Sequence, residues 1–223
     1  RVKPKYEGLE NDMNEALLTS PYRDELKKYI GEEPFALAAL HKEAFSPEIL
    51  EDLMKENELS SHYSELLANL TATTEDGEVP LSKIGSHMGS EDREERSKYA
   101  EISEKAYAKI SDDLDKLYDD LVKVRVNIAN KLGKNSFTDV GYCRMGRTSY
   151  GRKEVKIFRD GVKEKLVPIA NQLFEKQRKA LGYTILYNYD EDICEFGKKP
   201  EPTKNVLEDF RDVYKELSPE THV

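Results

Sequence analysis

The sequence contains one long amphipathic stretch, from Glu91 to Leu132, that constrains the fold more than any other feature. This stretch has no glycine and no proline, the residues that most readily end or kink a helix. Its apolar residues recur at steps of three and four, the spacing that lines one face of an α-helix. They are Tyr99, Ile102, Ala106, Ile110, Leu114, Leu117, Leu121, Val124, Ile128 and Leu132. As one continuous helix the stretch would be roughly 60 Å long. Its apolar face needs other helices to pack against, so the sequence predicts a helical bundle.

Upstream of this stretch, proline residues mark where helices begin. The segment from Leu17 to Ala44 has helical spacing, and Pro34 should separate it into two helices because proline lacks a backbone donor. Ser46-Pro47-Glu48 is a typical helix start, with a capping hydroxyl, a first-turn proline and an acid near the positive helix end. The segment from Thr71 to Gly89 is rich in turn residues, which predicts a loop with at most a short hairpin.

Downstream of the long stretch, glycine and proline again divide the pattern. Gly133 should end the long helix in a left-handed cap position. Residues Lys134 to Gly151 are predicted to be short and irregular. A second amphipathic stretch runs from Val155 to Leu173, and Pro168 should kink or divide it. Gly161 interrupts the same stretch, at a cost of about 1 kcal/mol relative to alanine.

The last part of the chain is predicted to hold two short segments and one helix. Gly182 stops the second amphipathic stretch, and Tyr183 to Tyr189 alternates loosely enough to be a strand candidate. A proline-containing loop from Gly197 to Lys204 precedes a helix from Asn205 to Leu217. Ser218 to Thr221 again has the pattern of a helix start, so we expect the sequence to have been cut from something longer.

These elements predict a predominantly all-α fold of long antiparallel amphipathic helices, with at most a minor hairpin or a short strand near residues 183–189. The change of pattern after the first loop predicts two regions. Residues 1–89 form an N-terminal helical region that includes the loop at 71–89. Residues 90–223 form a long-helix region.

The charge balance and the cysteine content exclude several classes of partner. The net charge is −9, and basic residues are interleaved with acids, whereas nucleic-acid binding needs a dense positive stripe. No apolar run is long enough for a membrane span, and no signal peptide is visible. The two cysteines, Cys143 and Cys194, are far apart in the sequence, which fits a reducing compartment. We therefore expect a cytoplasmic protein that binds neither nucleic acid nor membrane.

The sequence contains no recognisable catalytic motif. Zinc hydrolysis on a helix usually needs two histidines four residues apart, with a glutamate beside the first. The four histidines lack this spacing; they are His41, His62, His87 and His222. There is no GxSxG elbow, no Walker loop and no GxGxxG turn. Cys143 lies in an arginine-flanked segment that could lower the pKa of a thiol, and the alternative is a small residue that only packs. We expect no catalytic residue and no metal ligand in this chain.

The segment from Gly141 to Tyr150 is the best candidate for a functional surface. It places two arginines and two tyrosines, Tyr142, Arg144, Arg147 and Tyr150, on a glycine-containing turn. These side chains could bind a peptide carboxylate or backbone, because arginine forms bidentate pairs with carboxylates. The alternative is structural: the arginines pair with acids on neighbouring helices while the tyrosines pack.

A series of short motifs keeps its order and spacing along most of the chain. The central motifs are Leu117-Tyr-Asp-Asp-Leu-Val-Lys-Val-Arg125, Ala129-Asn-Lys-Leu-Gly-Lys-Asn-Ser-Phe137 and Gly141-Tyr-Cys-Arg-Met-Gly-Arg-Thr-Ser-Tyr150. Phe45 to Ile49 lies upstream of them and Tyr214 to Thr221 downstream. In these motifs the sequence resembles the oligoendopeptidase F family, whose members are similar to thimet oligopeptidase.

The resemblance implies a mostly helical, cytoplasmic zinc peptidase with a deep cleft that admits only short peptides. The zinc motif of that family, HExxH with a later glutamate ligand, lies beyond the helix start at Ser218, and nothing in this sequence matches it. We therefore expect the chain to be the helical, substrate-enclosing part of such an enzyme, incomplete and inactive alone.

The alternative is a stand-alone helical interaction or scaffold module without catalysis. In both cases zinc is expected in the full-length members of the family and not in this chain, and short peptides are substrates of the complete enzyme only. Helices that pack on absent polypeptide would leave apolar faces exposed, so we expect the isolated chain to self-associate.

Overall fold

The computed structural model describes residues 3–193 and 205–218. The chain forms two compact units, Arg1–Ile169 and Ala170–Val223. The boundary expected near residue 90 was drawn from the sequence pattern and stays a prediction.

The described residues form ten α-helices and one two-stranded sheet, so the predominantly all-α fold is confirmed. The first eight helices are α1 (Lys3–Thr19), α2 (Arg23–Ile30), α3 (Glu33–Glu43), α4 (Leu50–Ala68), α5 (Arg93–Ala108), α6 (Ser111–Lys131), α7 (Phe137–Arg144) and α8 (Arg152–Gly161). They are followed by α9 (Val167–Ala180) and α10 (Val206–Leu217), and the strands are β1 (Thr71–Thr74) and β2 (Gly77–Pro80). In the part of the chain that the structure describes, no helix combines the length and the apolar character of a membrane span.

The prediction of one continuous helix from Glu91 to Leu132 is wrong, because the stretch breaks between α5 and α6. The backbone N–H groups of Lys109 and Ile110 bond to carbonyls three residues back, which tightens the last turn of α5. Ser111 then starts α6, with two acids in its first turn. The break lets Ile110 pack on the apolar cluster beneath the hairpin, while α6 packs against α4. Acids in the first turn, here Asp112 and Asp113, are favourable near the positive end of a helix.

The main apolar cluster joins the start of α4, the end of α6 and the middle of α7. Ile128 and Val140 have no exposed surface in this cluster. The other buried members are Ala44, Ile49, Leu53, Ala129 and Cys143. All residues of the predicted apolar stripe are buried or half-buried. The predicted apolar face is therefore confirmed, although it belongs to two helices and not to one.

Ion pairs along the contact of α4 with α6 establish that these two helices are antiparallel, as predicted. Asp52 Oδ2 lies 2.7 Å from Lys131 Nζ, and one turn further along α4 Glu56 Oε1 lies 2.8 Å from Arg125 Nε. The residue numbers increase in one helix as they decrease in the other. The two helices therefore run in opposite directions with their apolar faces in contact.

The segment Thr71 to Gly89 contains the short hairpin that the sequence allowed. Strands β1 and β2 pair antiparallel, with Ala72 opposite Val79. Ala72 and Ile84 pack on Ala106 of α5 in a second apolar cluster. The rest of the segment is a 3-10 helix, Leu81–Gly89, and not an irregular loop.

The proline and glycine signals in the first unit are largely confirmed. Pro34 lies in the first turn of α3. The Ser46 hydroxyl accepts a hydrogen bond from the backbone N–H of Glu48, and Pro47 opens the turn that leads into α4. Gly133 has φ +66° just after α6, and the paired bonds Gly133 N–H to Asn130 O and Lys134 N–H to Ala129 O close the helix end.

The segment Lys134 to Gly151, predicted to be irregular, contains the helix α7. Its Ser136 lies at the N-cap position, and Ser136 Oγ donates to Asp139 Oδ2 at 3.3 Å. The sequence signal was weak because the helix has only 8 residues and includes Gly141. Packing of Val140 and Cys143 in the main cluster supplies the stability that local propensity lacks.

Pro168 has the predicted effect on the second amphipathic stretch. The five residues Val162–Leu166 form a π-helical turn between α8 and α9. The N–H of Val167 bonds to the carbonyl of Val162, five residues back, instead of to that of Lys163. Pro168 has no N–H to bond to the carbonyl of Glu164, and its ring clashes with that carbonyl, so the bonding pattern changes just before the proline. The stretch is therefore divided one turn before the proline.

In the second unit, the strand expected between Tyr183 and Tyr189 does not form. Arg178 Nη1 of α9 donates to the carbonyl of Tyr183 at 2.6 Å and to that of Thr184 at 3.3 Å. The side-chain amide of Gln177 donates to three carbonyls, those of Asp190, Glu191 and Ile193. Arg178 therefore takes two backbone acceptors of the expected strand, and Gln177 fixes the backbone just beyond it. Loose alternation in the sequence cannot reveal these contacts.

Several expectations fall outside the described residues. These are the loop from Gly197 to Lys204, the helix start after Ser218, Cys194 and His222. The final helix, expected from Asn205 to Leu217, is confirmed as α10.

Candidate functional site

The four side chains predicted to form a functional surface lie on α7 and in the turn after it, but they divide into two places. Arg147 stacks between two tyrosines, with its guanidinium carbon 4.3 Å from the Tyr142 ring centre and 5.4 Å from that of Tyr150. Such stacking stabilises the half-buried Arg147 and holds its planar guanidinium group in place. Tyr142, Arg147 and Tyr150 are therefore brought together, as a cluster on the surface.

Arg144 faces the other way and is held by an acid from α4. Arg144 Nη1 lies 2.9 Å from Glu56 Oε2, and Arg125 Nε of α6 lies 2.8 Å from Glu56 Oε1. This ion pair is the arrangement that the structural alternative predicted for Arg144. Arg147, in contrast, has no carboxylate partner within residues 3–193 and 205–218.

Glu56 is a charged residue that the sequence did not single out, and it is 9% exposed. Burial raises the pKa of its carboxyl group, but the hydrogen bonds and charges of Arg125 and Arg144 outweigh that effect, so the pKa is below its ordinary value. The carboxylate is therefore charged at neutral pH and can anchor both guanidinium groups. Both guanidinium carbons also lie over the Phe137 ring, at 5.3 Å and 5.2 Å from its centre.

A cavity of about 500 Å³ opens next to this ion-pair network, within the first unit. Its volume is in the usual range for sites that bind small molecules. Residues of α1, α4, α6, α7 and the end of α3 line it, among them Asn11, Asn14, Asn57, Arg125 and Arg144. Sequence patterns missed this site because its lining comes from five separate segments, and no local motif marks an asparagine on a helix as a binding residue.

Gly146 positions the turn that carries Arg147. Its φ is +61°, and a Cβ atom built on it would lie 2.9 Å from Leu37 Cδ2 of α3. The turn after α7 thus needs a residue without a side chain for two reasons, conformation and close packing.

Replacement of Gly146 by alanine is expected to lower the free energy of unfolding by about 1–2 kcal/mol, because a left-handed conformation disfavours a Cβ atom. Urea unfolding followed by circular dichroism measures the change. Gly161→Ala is the matched control, since Gly161 has helical φ and ψ and open space around it. The Gly161→Ala substitution is expected to raise the free energy of unfolding by about 0.5–1 kcal/mol. Equal effects of the two substitutions would contradict the role assigned to Gly146.

The cysteine and histidine residues do not assemble a reactive or metal-binding group among the described residues. Cys143 is buried, and burial raises the pKa of its thiol, so the packing alternative describes it better than an activated thiol. His87 Nδ1 lies 2.6 Å from Glu95 Oε1, and the His87 ring stacks on Tyr99. In residues 3–193 and 205–218, no three side chains of histidine, cysteine, aspartate or glutamate lie close enough to hold a metal ion.

Comparison with known protein families finds a match for the first part of the chain. Residues 1–45 match the family described as the Peptidase M3 N-terminal domain. No curated protein matches the sequence.

Solved structures match almost the whole chain. A protein described as an oligoendopeptidase F is 38% identical, with a TM-score of 0.91 over 99% of this chain and 40% of its own. PZ peptidase A, solved with an inhibitor, is 39% identical, with a TM-score of 0.92 over 99% of this chain and 40% of its own. A protein described as an oligoendopeptidase F from Bacillus anthracis strain Ames is 35% identical, with a TM-score of 0.89 over 98% of this chain and 41% of its own. The chain thus spans about two fifths of the length of each of these relatives.

Proposed function

From the premise that this chain is oligoendopeptidase F-like, we propose that it forms the helical, substrate-enclosing part of an enzyme that hydrolyses short peptides. The observation that carries the proposal is the TM-score of 0.92 with 39% identity to PZ peptidase A over 99% of this chain. A TM-score and a sequence identity of this size support a shared fold and many shared side chains that shape it. A fold shared without sequence identity would support the architecture alone.

The residues of this chain would contribute walls and binding groups to that enzyme. Paired helices such as α4 and α6 are rigid, because an apolar cluster and cross-helix ion pairs hold them together. Rigid helical walls exclude folded proteins by size and admit extended peptides. The Arg147 cluster with Tyr142 and Tyr150, and Arg144 next to the cavity, offer donors and ring faces for a peptide.

Zinc is the metal that the resemblance implies for the full-length enzymes. The donor set found among the described residues does not fit it, because no group of three suitable side chains converges there. We therefore assign no metal ligand and no step of the reaction to this chain's described residues. In the proposed enzyme, zinc would have to be held by residues other than the described residues of this chain.

A second function, that of a stand-alone helical interaction module, is supported by exposed apolar side chains. On α8, Ile157 and Phe158 are 65% and 72% exposed. On α10, Leu207 and Phe210 are 77% and 57% exposed. Apolar faces of this kind pack against other polypeptide, either the remaining part of a longer enzyme or a separate partner. An open reading frame that continues into HExxH would favour the enzyme, and a stop codon after Val223 would favour the module.

A chimera tests the proposed function directly. The matched segment of PZ peptidase A is replaced by residues 1–223, and cleavage of a short fluorogenic peptide is measured. The chimera is expected to cleave the peptide, to lose activity with a metal chelator, and to leave a folded protein intact. The isolated 223-residue chain is expected to bind no stoichiometric zinc by elemental analysis, to cleave no peptide, and to self-associate in light scattering as its concentration rises.

Two controls define the highest and the lowest rate of cleavage expected in this experiment. Unaltered PZ peptidase A sets the full rate, and the same protein with the segment deleted sets the background. A chimera that is folded by circular dichroism but cleaves at the background rate would contradict the proposal. One equivalent of zinc with chelator-sensitive cleavage by the isolated chain would contradict the division of roles.

A further inference from the structure

Two amphipathic helices of the chain, α8 and α10, leave their apolar faces open to solvent. Both helices are described by the structure over their full lengths, and neither contains a buried residue. Phe158 of α8 and Phe210 and Leu217 of α10 are all exposed. Apolar faces of this kind are unfavourable in water and are covered when they pack against another apolar surface. Each helix is therefore a candidate docking surface.

The apolar face of α8 has the spacing of a seam between two helices. Val155, Phe158 and Val162 lie three and four positions apart, and Val162 continues the helical φ and ψ of α8. Arg159 lies directly beside this face, at a position that forms ion pairs with the neighbouring helix in a parallel pair. Arg159 has no ion-pair partner within residues 3–193 and 205–218. The helix has four basic and two acidic residues, so its net charge is +2.

The apolar face of α10 has the same kind of spacing and the opposite charge. Its members recur at steps of four, three and four; they are Val206, Phe210, Val213 and Leu217. Asp209 and Glu216 lie beside this face, on the side that meets the Arg159 side of α8 in a parallel pair. The helix has four acidic and two basic residues, so its net charge is −2.

Charge favours the pairing of α8 with α10 over the pairing of either helix with itself. A pair of α8 helices, or of α10 helices, brings together two helices of like net charge, which is unfavourable. A parallel alignment that places Val155 beside Phe210 brings Arg159 opposite Asp209. The same alignment covers the apolar faces of both helices.

We propose that α8 of one molecule of this chain docks on α10 of a second molecule, in a parallel pair oriented by Arg159 and Asp209. The same contact made in both directions gives a symmetric dimer with two equivalent interfaces. The inference goes beyond the proposed function and does not rest on it, because it concerns only the association of copies of the 223-residue chain. It identifies the two faces through which that association occurs.

The test is sedimentation equilibrium of the full 223-residue chain and of two charge-reversal variants. The unaltered chain is expected to form a dimer that dissociates on dilution. Arg159→Glu and Asp209→Lys are each expected to raise the dissociation constant of the dimer about tenfold or more, because repulsion replaces attraction. An equimolar mixture of the two variants is expected to dimerise more tightly than either variant alone, because both contacts of the mixed dimer then join opposite charges.

A pair of exposed aromatic residues tests the apolar part of the contact. Phe158→Ser is expected to weaken the dimer about tenfold or more. Tyr118→Ser is the matched control, because Tyr118 is 70% exposed on α6 and lies outside both faces. It is expected to leave the dissociation constant unchanged, and circular dichroism checks that every variant is folded.

Three results would overturn the inference. The first is an unaltered chain that stays monomeric at all concentrations. The second is a mixture of Arg159→Glu and Asp209→Lys chains that associates no more tightly than the separate variants. The third is equal weakening by Phe158→Ser and Tyr118→Ser. Any of these results would leave the proposed enzyme to be decided by the chimera, whose cleavage of peptides does not depend on this dimer.

Discussion

Replacement of Glu56 by alanine is expected to lower the free energy of unfolding by about 3 kcal/mol, because it leaves two guanidinium groups without the carboxylate that neutralises them. Glu56 is 9% exposed and bonds to both Arg125 and Arg144. We expect a loss of unfolding free energy at the low end of the range for broken buried ion pairs, because both arginines keep some contact with water. Urea unfolding at pH 7, followed by circular dichroism, measures it.

The controls for Glu56 separate charge from packing. Glu56→Gln keeps the shape and is expected to lose less than the alanine variant. Asp119→Ala removes an exposed pair with Lys123 on α6, and it is expected to leave stability unchanged within error. A loss for Asp119→Ala as large as that for Glu56→Ala would contradict the special role of the network.

The effect of Glu56→Ala is also expected to depend on pH. The pKa of Glu56 in the folded chain lies below the ordinary value of 4.5, so its stabilising contribution is complete above that ordinary value. The contribution is lost as the pH falls through the lower pKa of the folded chain. The difference in stability between the native chain and the variant should therefore narrow in acid, and comparison of unfolding at pH 7 and in acid tests this.

Replacement of Ile128 by alanine is expected to lower the free energy of unfolding by about 3 kcal/mol, because it leaves a cavity in the main apolar cluster. Ile128 has 0% of its surface exposed and packs with residues of α4 and α7. The milder variant Ile128→Val is expected to cost about 1 kcal/mol. Both are measured by urea unfolding.

Val126→Ala is the matched control on the same helix, since Val126 is 49% exposed. It is expected to change stability by less than about 0.5 kcal/mol. If Val126→Ala were as destabilising as Ile128→Ala, that result would contradict the assignment of the Ile128 side of α6 as its buried face. The same result would also contradict the periodicity from which the buried face was predicted.

The sequence predicted local boundaries well where a residue has a strong backbone preference. Pro34, Pro47 and Gly133 all have the positions in helix starts and ends that were expected of them, because a proline ring or a missing Cβ acts through neighbouring residues only. The sequence did not predict the break after Lys109, because Ile110 leaves the helix to pack on residues more than twenty positions away.

The candidate site was predicted in part. The segment from Gly141 to Tyr150 does carry arginines and tyrosines in contact with each other. Its division into an Arg147 cluster and an Arg144 ion pair depends on Glu56, which lies 88 residues from Arg144 in the sequence. The asparagines that line the cavity have no pattern at all in the sequence, since each is an ordinary polar residue on its own helix.

By itself, the sequence determined the all-α class, the apolar face of α5 and α6, and the resemblance to oligoendopeptidase F, because helical periodicity and ordered motifs are properties of neighbouring residues. Only the tertiary structure decided which helices meet, where α5 ends, and that Arg125 and Arg144 share the buried Glu56 in one ion-pair network beside a cavity. The physical reason is that burial and ion pairing depend on distances in space, and residues far apart in the chain acquire those distances only when the helices pack.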